Sequence, residues 1–187
     1  MILYALCDQE FLDKKALLVE EFVELAKSQN AEILQYRNKK DDTEFIKQQL
    51  VKIRKIFDGV LIVNDLFELA EYCDGVHLGQ DDLKMIDKDI FKAVEIVRAT
   101  IGEDKILGIS THNDFEVIQA NDMDLNYIGL GAYRDTNTKK DVNNILGNKL
   151  DGIASKSKHP VGAIGGILLD DRFSHVTYLV IGSGLLK

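Results

Sequence analysis

The sequence predicts an α/β protein folded as a compact (β/α)8 TIM barrel whose last helix is missing or truncated. Eight short β-rich runs recur along the chain. Most are continuously apolar, the pattern of parallel strands covered on both faces. The stretches between them carry the 3.6-residue apolar period of amphipathic helices.

In order, the first run is "ILYALC" (Ile2–Cys7). One helix is expected next in "KKALLVEEFVELAKSQ", where Leu18, Phe22, Leu25 and Ala26 share a face with Glu and Lys opposite. "EILQYR" (Glu32–Arg37) is the second run, followed by a helix through Phe45, Ile46, Leu50, Ile53 and Phe57. "GVLIVN" (Gly59–Asn64) and "GVHL" (Gly75–Leu78) come in quick succession, with a short helical "LFELAEY" between them. "DIFKAVEIVRATIG" leads as a helix into "KILGIS" (Lys105–Ser110), and "HNDFEVIQA" into "YIGLG" (Tyr127–Gly131). "PVGAIG" (Pro160–Gly165) and "YLVIG" (Tyr178–Gly182) complete the eight. Between those two, "LLDDRFSHVT" leaves space for a turn or two of helix, and the closing "SGLLK" for none. Sharing 187 residues among eight units leaves roughly 23 each, against about 250 for a typical barrel, so loops must be short. An open doubly wound sheet is the alternative.

A chain of 187 residues, 45% of them hydrophobic, can bury a core as one domain spanning 1–187. Its single proline and lack of Gly/Ser-rich stretches give no linker. A formal charge of −8 argues against a nucleic-acid or anionic-membrane surface. No apolar stretch approaches the ~20 residues of a membrane span. "MILYALCD" lacks the form of a signal peptide, so a cytoplasmic location is expected. Cys7 and Cys73 lie in or beside apolar runs and read as buried thiols. A two-fold homodimer is the default expectation for a soluble enzyme.

Parallel barrels gather function at the C-terminal ends of their strands. Here those ends read "QYRNK", "ND", "GQDD", "STHN", "YRDTNTKKD", "GGI" and "GSG". Asp65 and the Asp81/Asp82 pair terminate neighbouring runs, and adjacent strands lie about 4.8 Å apart. Carboxylates that close need a proton or a cation between them, and oxygen ligands suit Mg²⁺. Equally, Asp65 and Asp82 can simply cap the helices that follow. Alternation puts Gln35, Arg37 and Lys39 on one face, as phosphate ligands or as a solvated charge run. Thr136, Thr138 and Lys139 offer hydroxyls and an ammonium, or form a polar loop. Glycines in "AIGGI" and "IGSG" let an anion approach the backbone. His112 fits a helix start better than an acid/base role, and His77 a core or rim position.

Taken together, "LQYRNK", "IVND", "DGVHLGQDDL", "ILGISTHN", "YIGLGAYRDTNTKKD" and "AIGGI" resemble, in order, the thiamine-phosphate synthase and thiazole tautomerase family. The resemblance implies a (β/α)8 barrel that joins hydroxymethylpyrimidine diphosphate to hydroxyethylthiazole phosphate and releases pyrophosphate. It implies that Gln35, Arg37, Lys39, Asn64 and Lys139 hold the pyrimidine diphosphate, with Ser110 near the pyrimidine. Arg37, Ser110 and Lys139 would be the catalytic groups, and Asp65 and Asp82 the Mg²⁺ ligands. Thr136, Asn137 and Thr138 would join the backbone near Gly166, Gly182 and Ser183 in holding substrate, chiefly the thiazole phosphate.

The chain departs from the family pattern at two places. Leu66 stands where the family often carries Arg after Asn-Asp, and "GAYRD" (Gly131–Asp135) replaces its proline-bearing lip. A missing last helix would also withdraw N–H donors from the second phosphate cradle. Two other functions therefore compete with the synthase: a thiazole tautomerase, which would use His112, and a non-catalytic binder of phosphorylated ligands.

Overall fold

The computed structural model describes residues 1–135 and 145–186. Eight parallel strands close into a barrel in sequence order. They are β1 (Ile2–Asp8), β2 (Ile33–Arg37), β3 (Val60–Asn64), β4 (Gly75–Leu78), β5 (Ile106–Thr111), β6 (Tyr127–Leu130), β7 (Val161–Ala163) and β8 (Tyr178–Ile181). β8 returns to β1 with Ile2 opposite Tyr178 and Ala5 opposite Ile181, which shuts the ring. The helices are α1 (Gln9–Lys15), α2 (Val19–Ser28), α3 (Thr43–Ile56), α4 (Gln80–Ile86), α5 (Ile90–Ile101), α6 (Asp114–Ala120) and α7 (Leu150–Ala154).

Helix starts follow local chemistry. Asp8, Asp42, Asp89 and Asn113 each accept a first-turn backbone N–H of α1, α3, α5 and α6, satisfying donors that the helix itself cannot. The single helix expected over Lys14–Gln29 is instead two. Ala16 takes a left-handed conformation (φ 51°) and Leu17 N–H donates to Leu12 O at 3.0 Å, closing α1. Glu21 then reaches back to the Leu18 N–H at 2.7 Å and opens α2. Between β3 and β4 the expected helix is a 3₁₀ turn over Phe67–Tyr72.

No helix lies between β7 and β8 among the described residues, and a 3₁₀ turn over Ser183–Leu186 is all that follows β8. Loop side chains take over the covering role. Val161, Ala163, Leu179 and Ile181 face outward yet are buried, in one cluster with Ile167, Val176 and Leu185 and with Phe173 packed against it.

Strand alternation divides the core in two. Outward residues such as Leu34, Tyr36, Leu61, Val63, Val76 and Ile109 pack under the helices. Inward ones, including Tyr4, Leu6, Ile62, Tyr127 and Val180, fill the barrel. Space inside is tight enough that a Cβ on Gly108 would sit 2.2 Å from the Tyr127 ring.

Candidate active site

Up each strand the barrel lining turns from apolar to polar. Tyr4 and Leu6 are followed inward on β1 by Asp8, Ile33 on β2 by Gln35 and Arg37, and Val60 and Ile62 on β3 by Asn64. His77 on β4 and Ser110 on β5 continue the ring. Asp8, Gln35, Asn64 and His77 are all buried, so their polar groups need partners or a ligand.

Asp65 and Asp82 converge. The Asp65 carboxylate lies 2.6 Å from Lys39 Nζ, and Asp82 lies 3.3 Å from the same nitrogen. Both acids thus face the one ammonium. Neither is a helix cap. Leu66 occupies the cap position of the 3₁₀ turn, and Asp82 belongs to the first turn of α4, with its carboxylate folded back over Gly79. Asp65 itself is left-handed (φ 66°), a conformation that a short polar side chain tolerates better than most. Burial, assisted by Asp82, raises its pKa against the pull of Lys39. Burial alone would lower the Lys39 pKa, but Asp65 and Asp82 outweigh it and raise it. Two carboxylates on one ammonium, both of them partly buried, form a set of hard oxygen donors able to hold a divalent cation. Among the described residues no third acid, His or Cys joins them, so water and a ligand's oxygens would fill the other positions. Asp81, by contrast, points away and pairs with Lys84.

Arg37 is not a bare cation. Its Nη1 donates to Asp8 Oδ2, while Asp8 Oδ1 caps α1 by accepting from Phe11 N–H at 3.2 Å. A guanidinium has five N–H donors, so this pairing orients the fork and leaves donors for an anion. Asn64 makes no side-chain hydrogen bond among the described residues, although its side chain is buried at the mouth.

Gln35 and Ser110 are joined through the barrel interior. Gln35 Nε2 donates to Tyr4 Oη at 2.7 Å, and Tyr4 Oη lies 2.8 Å from Tyr127 Oη. Tyr127 Oη is 2.8 Å from His77 Nδ1, and His77 Nε2 is 3.0 Å from Ser110 Oγ. Gln80 Nε2 donates to the Ser110 carbonyl at 2.6 Å, tying the ends of β4 and β5. Burial raises the pKa of both phenols well above the ordinary tyrosine value.

The glycine ends of β7 and β8 meet at the far side of the mouth. Gly165 (φ 87°) and Gly166 (φ 66°) take conformations that L side chains avoid, and a Cβ on Gly184 would lie 3.2 Å from Ile167 O. The N–H groups of Gly166, Ser183 and Gly184 have no intramolecular acceptor among the described residues. Gly182 lies against Leu6 O. The lip "GAYRD" is clipped in place without proline. Arg134 donates to Gly166 O at 2.8 Å and to both oxygens of Asp171 at 2.6 and 2.7 Å. It also covers the Tyr133 ring, which packs edge-on against Phe173. Leu66 packs against the core beneath the helices. Thr136, Asn137, Thr138 and Lys139 lie outside the described residues.

His112 braces a helix start: its N–H and Nδ1 both meet Glu116 Oε2, at 2.8 and 2.9 Å. Sequence reading passed over Asp8, Tyr4 and Tyr127 and left His77 as a satisfied core or rim residue. Inward parity was the available signal, since Tyr4 and Asp8 alternate with Leu6 on β1 as Gln35 and Arg37 do on β2.

Known proteins resemble this chain in sequence and in fold. A family model described as thiamine monophosphate synthase matches residues 3–176. A thiamine-phosphate synthase of Persephonella marina is 37% identical over 170 residues, 88% of this chain and 76% of that one. One from Lawsonia intracellularis is 36% identical over 88% of this chain and 74% of its own. Among solved structures, a thiamine phosphate pyrophosphorylase from Pyrococcus furiosus superposes with a TM-score of 0.74 at 25% identity. That likeness covers 97% of this chain and 85% of the other.

Proposed function

The chain belongs to the thiamine monophosphate synthase family, and from that membership we infer that it is a transferase of thiamine biosynthesis. It joins hydroxymethylpyrimidine diphosphate to hydroxyethylthiazole phosphate, giving thiamine phosphate and pyrophosphate. The observation that carries this reading is the meeting of Asp65, Lys39 and Asp82 at the mouth that Arg37, Gln35, Asn64 and Ser110 also line.

Asp65 and Asp82 would hold Mg²⁺, which when bound supplies positive charge to the diphosphate oxygens. The methylene–oxygen bond of the pyrimidine substrate breaks, and its electron pair leaves with the diphosphate. The aminopyrimidine left behind is a resonance-stabilised cation, so no protein nucleophile is needed. Arg37, oriented by Asp8, and Lys39, held charged by the acids, stabilise the departing negative charge, with Lys139 in the same role. The thiazole nitrogen lone pair then forms the new carbon–nitrogen bond. Backbone N–H groups near Gly166 and Ser183, with Thr136 and Thr138, hold the thiazole phosphate so that the nitrogen lies in line. Asn64 and Gln35 position the pyrimidine half. His112 is committed to Glu116 as a helix brace, and no observation of its own favours the tautomerase or the non-catalytic reading.

The test is a coupling assay on the full chain with both phosphorylated halves, with and without Mg²⁺, beside an Asp65→Asn/Asp82→Asn double variant. Thiamine phosphate should form only with metal and fall sharply in the variant. Absence of product from the unaltered chain with metal present would refute the assignment.

A further inference from the structure

We propose that Arg134 and Asp171 form a clip that positions the Gly165–Gly166 turn, and that this clip sets the affinity for the thiazole phosphate without touching it. This rests on the reading that backbone N–H groups at the ends of β7 and β8 hold that phosphate.

Glycine loses more backbone freedom on ordering than any other residue. Two in succession, Gly165 (φ 87°) and Gly166 (φ 66°), follow β7. No helix comes after them among the described residues to fix the turn, and the lip Gly131–Asp135 has no proline to stiffen it. Arg134 supplies the hold and grips the turn twice. Its backbone N–H donates to Gly165 O at 2.8 Å, and its Nη1 donates to Gly166 O at 2.8 Å. A trans peptide is planar, with its C=O and N–H pointing opposite ways. Pinning Gly165 O therefore aims the Gly166 N–H, and pinning Gly166 O fixes the peptide on the other side. Gly166 is held between two anchored planes.

The Arg134 side chain is itself held. Nη2 donates to Asp171 Oδ1 at 2.6 Å and Nη1 to Oδ2 at 2.7 Å, fork against fork. The Asp171 side chain is only 11% exposed, and its Oδ2 also accepts the Leu168 N–H at 2.8 Å. The guanidinium lies 4.3 Å from the centre of the Tyr133 ring, which meets Phe173 edge-on. The clip thus runs from the lip after β6, through the turn after β7, to the loop that leads into β8. A lysine could not replace it, because one nitrogen cannot span both carboxylate oxygens and the Gly166 carbonyl as the planar fork does. Arg134 and Asp171 are positioning residues, acting on the phosphate through the Gly166 N–H.

Coupling assays on the full chain with Mg²⁺, each half varied in turn, test this. Asp171→Asn keeps the shape and loses the charge pairing. It should raise KM for the thiazole phosphate about 5- to 30-fold, the scale of re-ordering one freed residue. KM for the pyrimidine diphosphate should stay within about twofold, as for an independent site. Arg134→Ala should act in the same direction, and Arg134→Lys should recover only part of the loss. In ¹H–¹⁵N spectra the Gly166 amide should move when thiazole phosphate is added to the unaltered chain, and should already be broadened in Asp171→Asn without it. If both KM values rise together, the clip is merely structural and the proposal falls. If Asp171→Asn takes thiazole phosphate more tightly while Arg134→Ala takes it less tightly, the freed guanidinium touches the phosphate itself and the positioning role is overturned. Should one variant fail to fold, the other decides. An unaltered chain that couples both halves, with neither variant changing either KM, refutes the clip alone. An unaltered chain that forms no thiamine phosphate refutes the synthase reading, and this proposal with it.

Discussion

Lys39 Nζ lies 2.6 Å from Asp65 Oδ2, so the partly buried acid at the end of β3 is neutralised by a cation from beyond β2. Asp82 shares that cation at 3.3 Å. Replacing either acid should therefore weaken divalent-ion binding without unfolding the barrel. Asp82→Asn is expected to lower Mg²⁺ affinity and turnover by about 10- to 100-fold. Asp65→Asn should do likewise while keeping the left-handed backbone, which Asn tolerates. Asp65→Val adds a backbone penalty of about 1–2 kcal/mol, visible as a lower melting temperature. Titration calorimetry with Mg²⁺ and thermal melts separate the two effects.

The same pair predicts a pH dependence. Burial and Asp82 hold the Asp65 pKa above the ordinary aspartate value. A raised carboxyl pKa favours the folded state when the group is protonated, and that contribution is lost as pH rises through the folded-state pKa. Metal needs the ionised form. Apparent Mg²⁺ affinity should thus begin to fall, on acidification, at a pH above the normal aspartate range. Asp82→Asn removes the neighbouring charge, so the Asp65 carboxyl should titrate lower, as read by its carbon chemical shift. An unchanged Asp65 titration would show that the two acids do not interact.

Asp171 behaves in the opposite sense. The Arg134 guanidinium, bonded to both its oxygens, holds its pKa below the usual carboxylate range. A depressed carboxyl stabilises the fold above its unfolded-state pKa and ceases to do so as pH falls through its folded-state value. Arg134 is partly exposed, which screens the pair, so Asp171→Asn should cost only about 1 kcal/mol at neutral pH. The gap in melting temperature between the two proteins should narrow as pH drops through the acidic carboxylate range. A gap constant down to pH 2 would assign the loss to the Leu168 N–H contact at 2.8 Å instead.

All eight strands were legible because a buried parallel strand must be apolar on both faces, and β4 was readable to the residue at both ends. The rim residues were legible because alternation fixes which side chains look inward. What escaped was set by contacts between strands distant in sequence. Nothing in "KKALLVEE" announces that Ala16 adopts a left-handed φ, since alanine has no local preference for it. Arg37 reads as a free phosphate ligand until closure of β1 against β2 brings Asp8 opposite it. The Tyr4–Tyr127 contact joins residues 123 positions apart, and no local pattern carries that information. His77 read as a core or rim residue because Ser110 and Tyr127, which it meets, arrive from β5 and β6.

Register explains one glycine in the interior and yields a sharp expectation. Gly108 on β5 is paired with His77 on β4 and with Tyr127 on β6. With no side chain between them, the imidazole and the phenol ring close to 5.4 Å between centroids and share a hydrogen bond. A methyl group on Gly108 would lie 2.2 Å from the Tyr127 ring, well inside van der Waals contact. The ring cannot simply retreat, because Tyr4 and Tyr178 pack against it at 5.9 Å. Gly108→Ala should therefore destabilise the fold by about 1–3 kcal/mol through overpacking, a drop of roughly 2–12 °C in Tm for a chain of this length. Because the displaced ring carries the Tyr127 hydroxyl off His77, the imidazole nitrogen shifts should change in the same variant. A Gly108→Ala protein with native Tm and an unaltered His77 spectrum would show that the interior has slack, contrary to the tight packing described here.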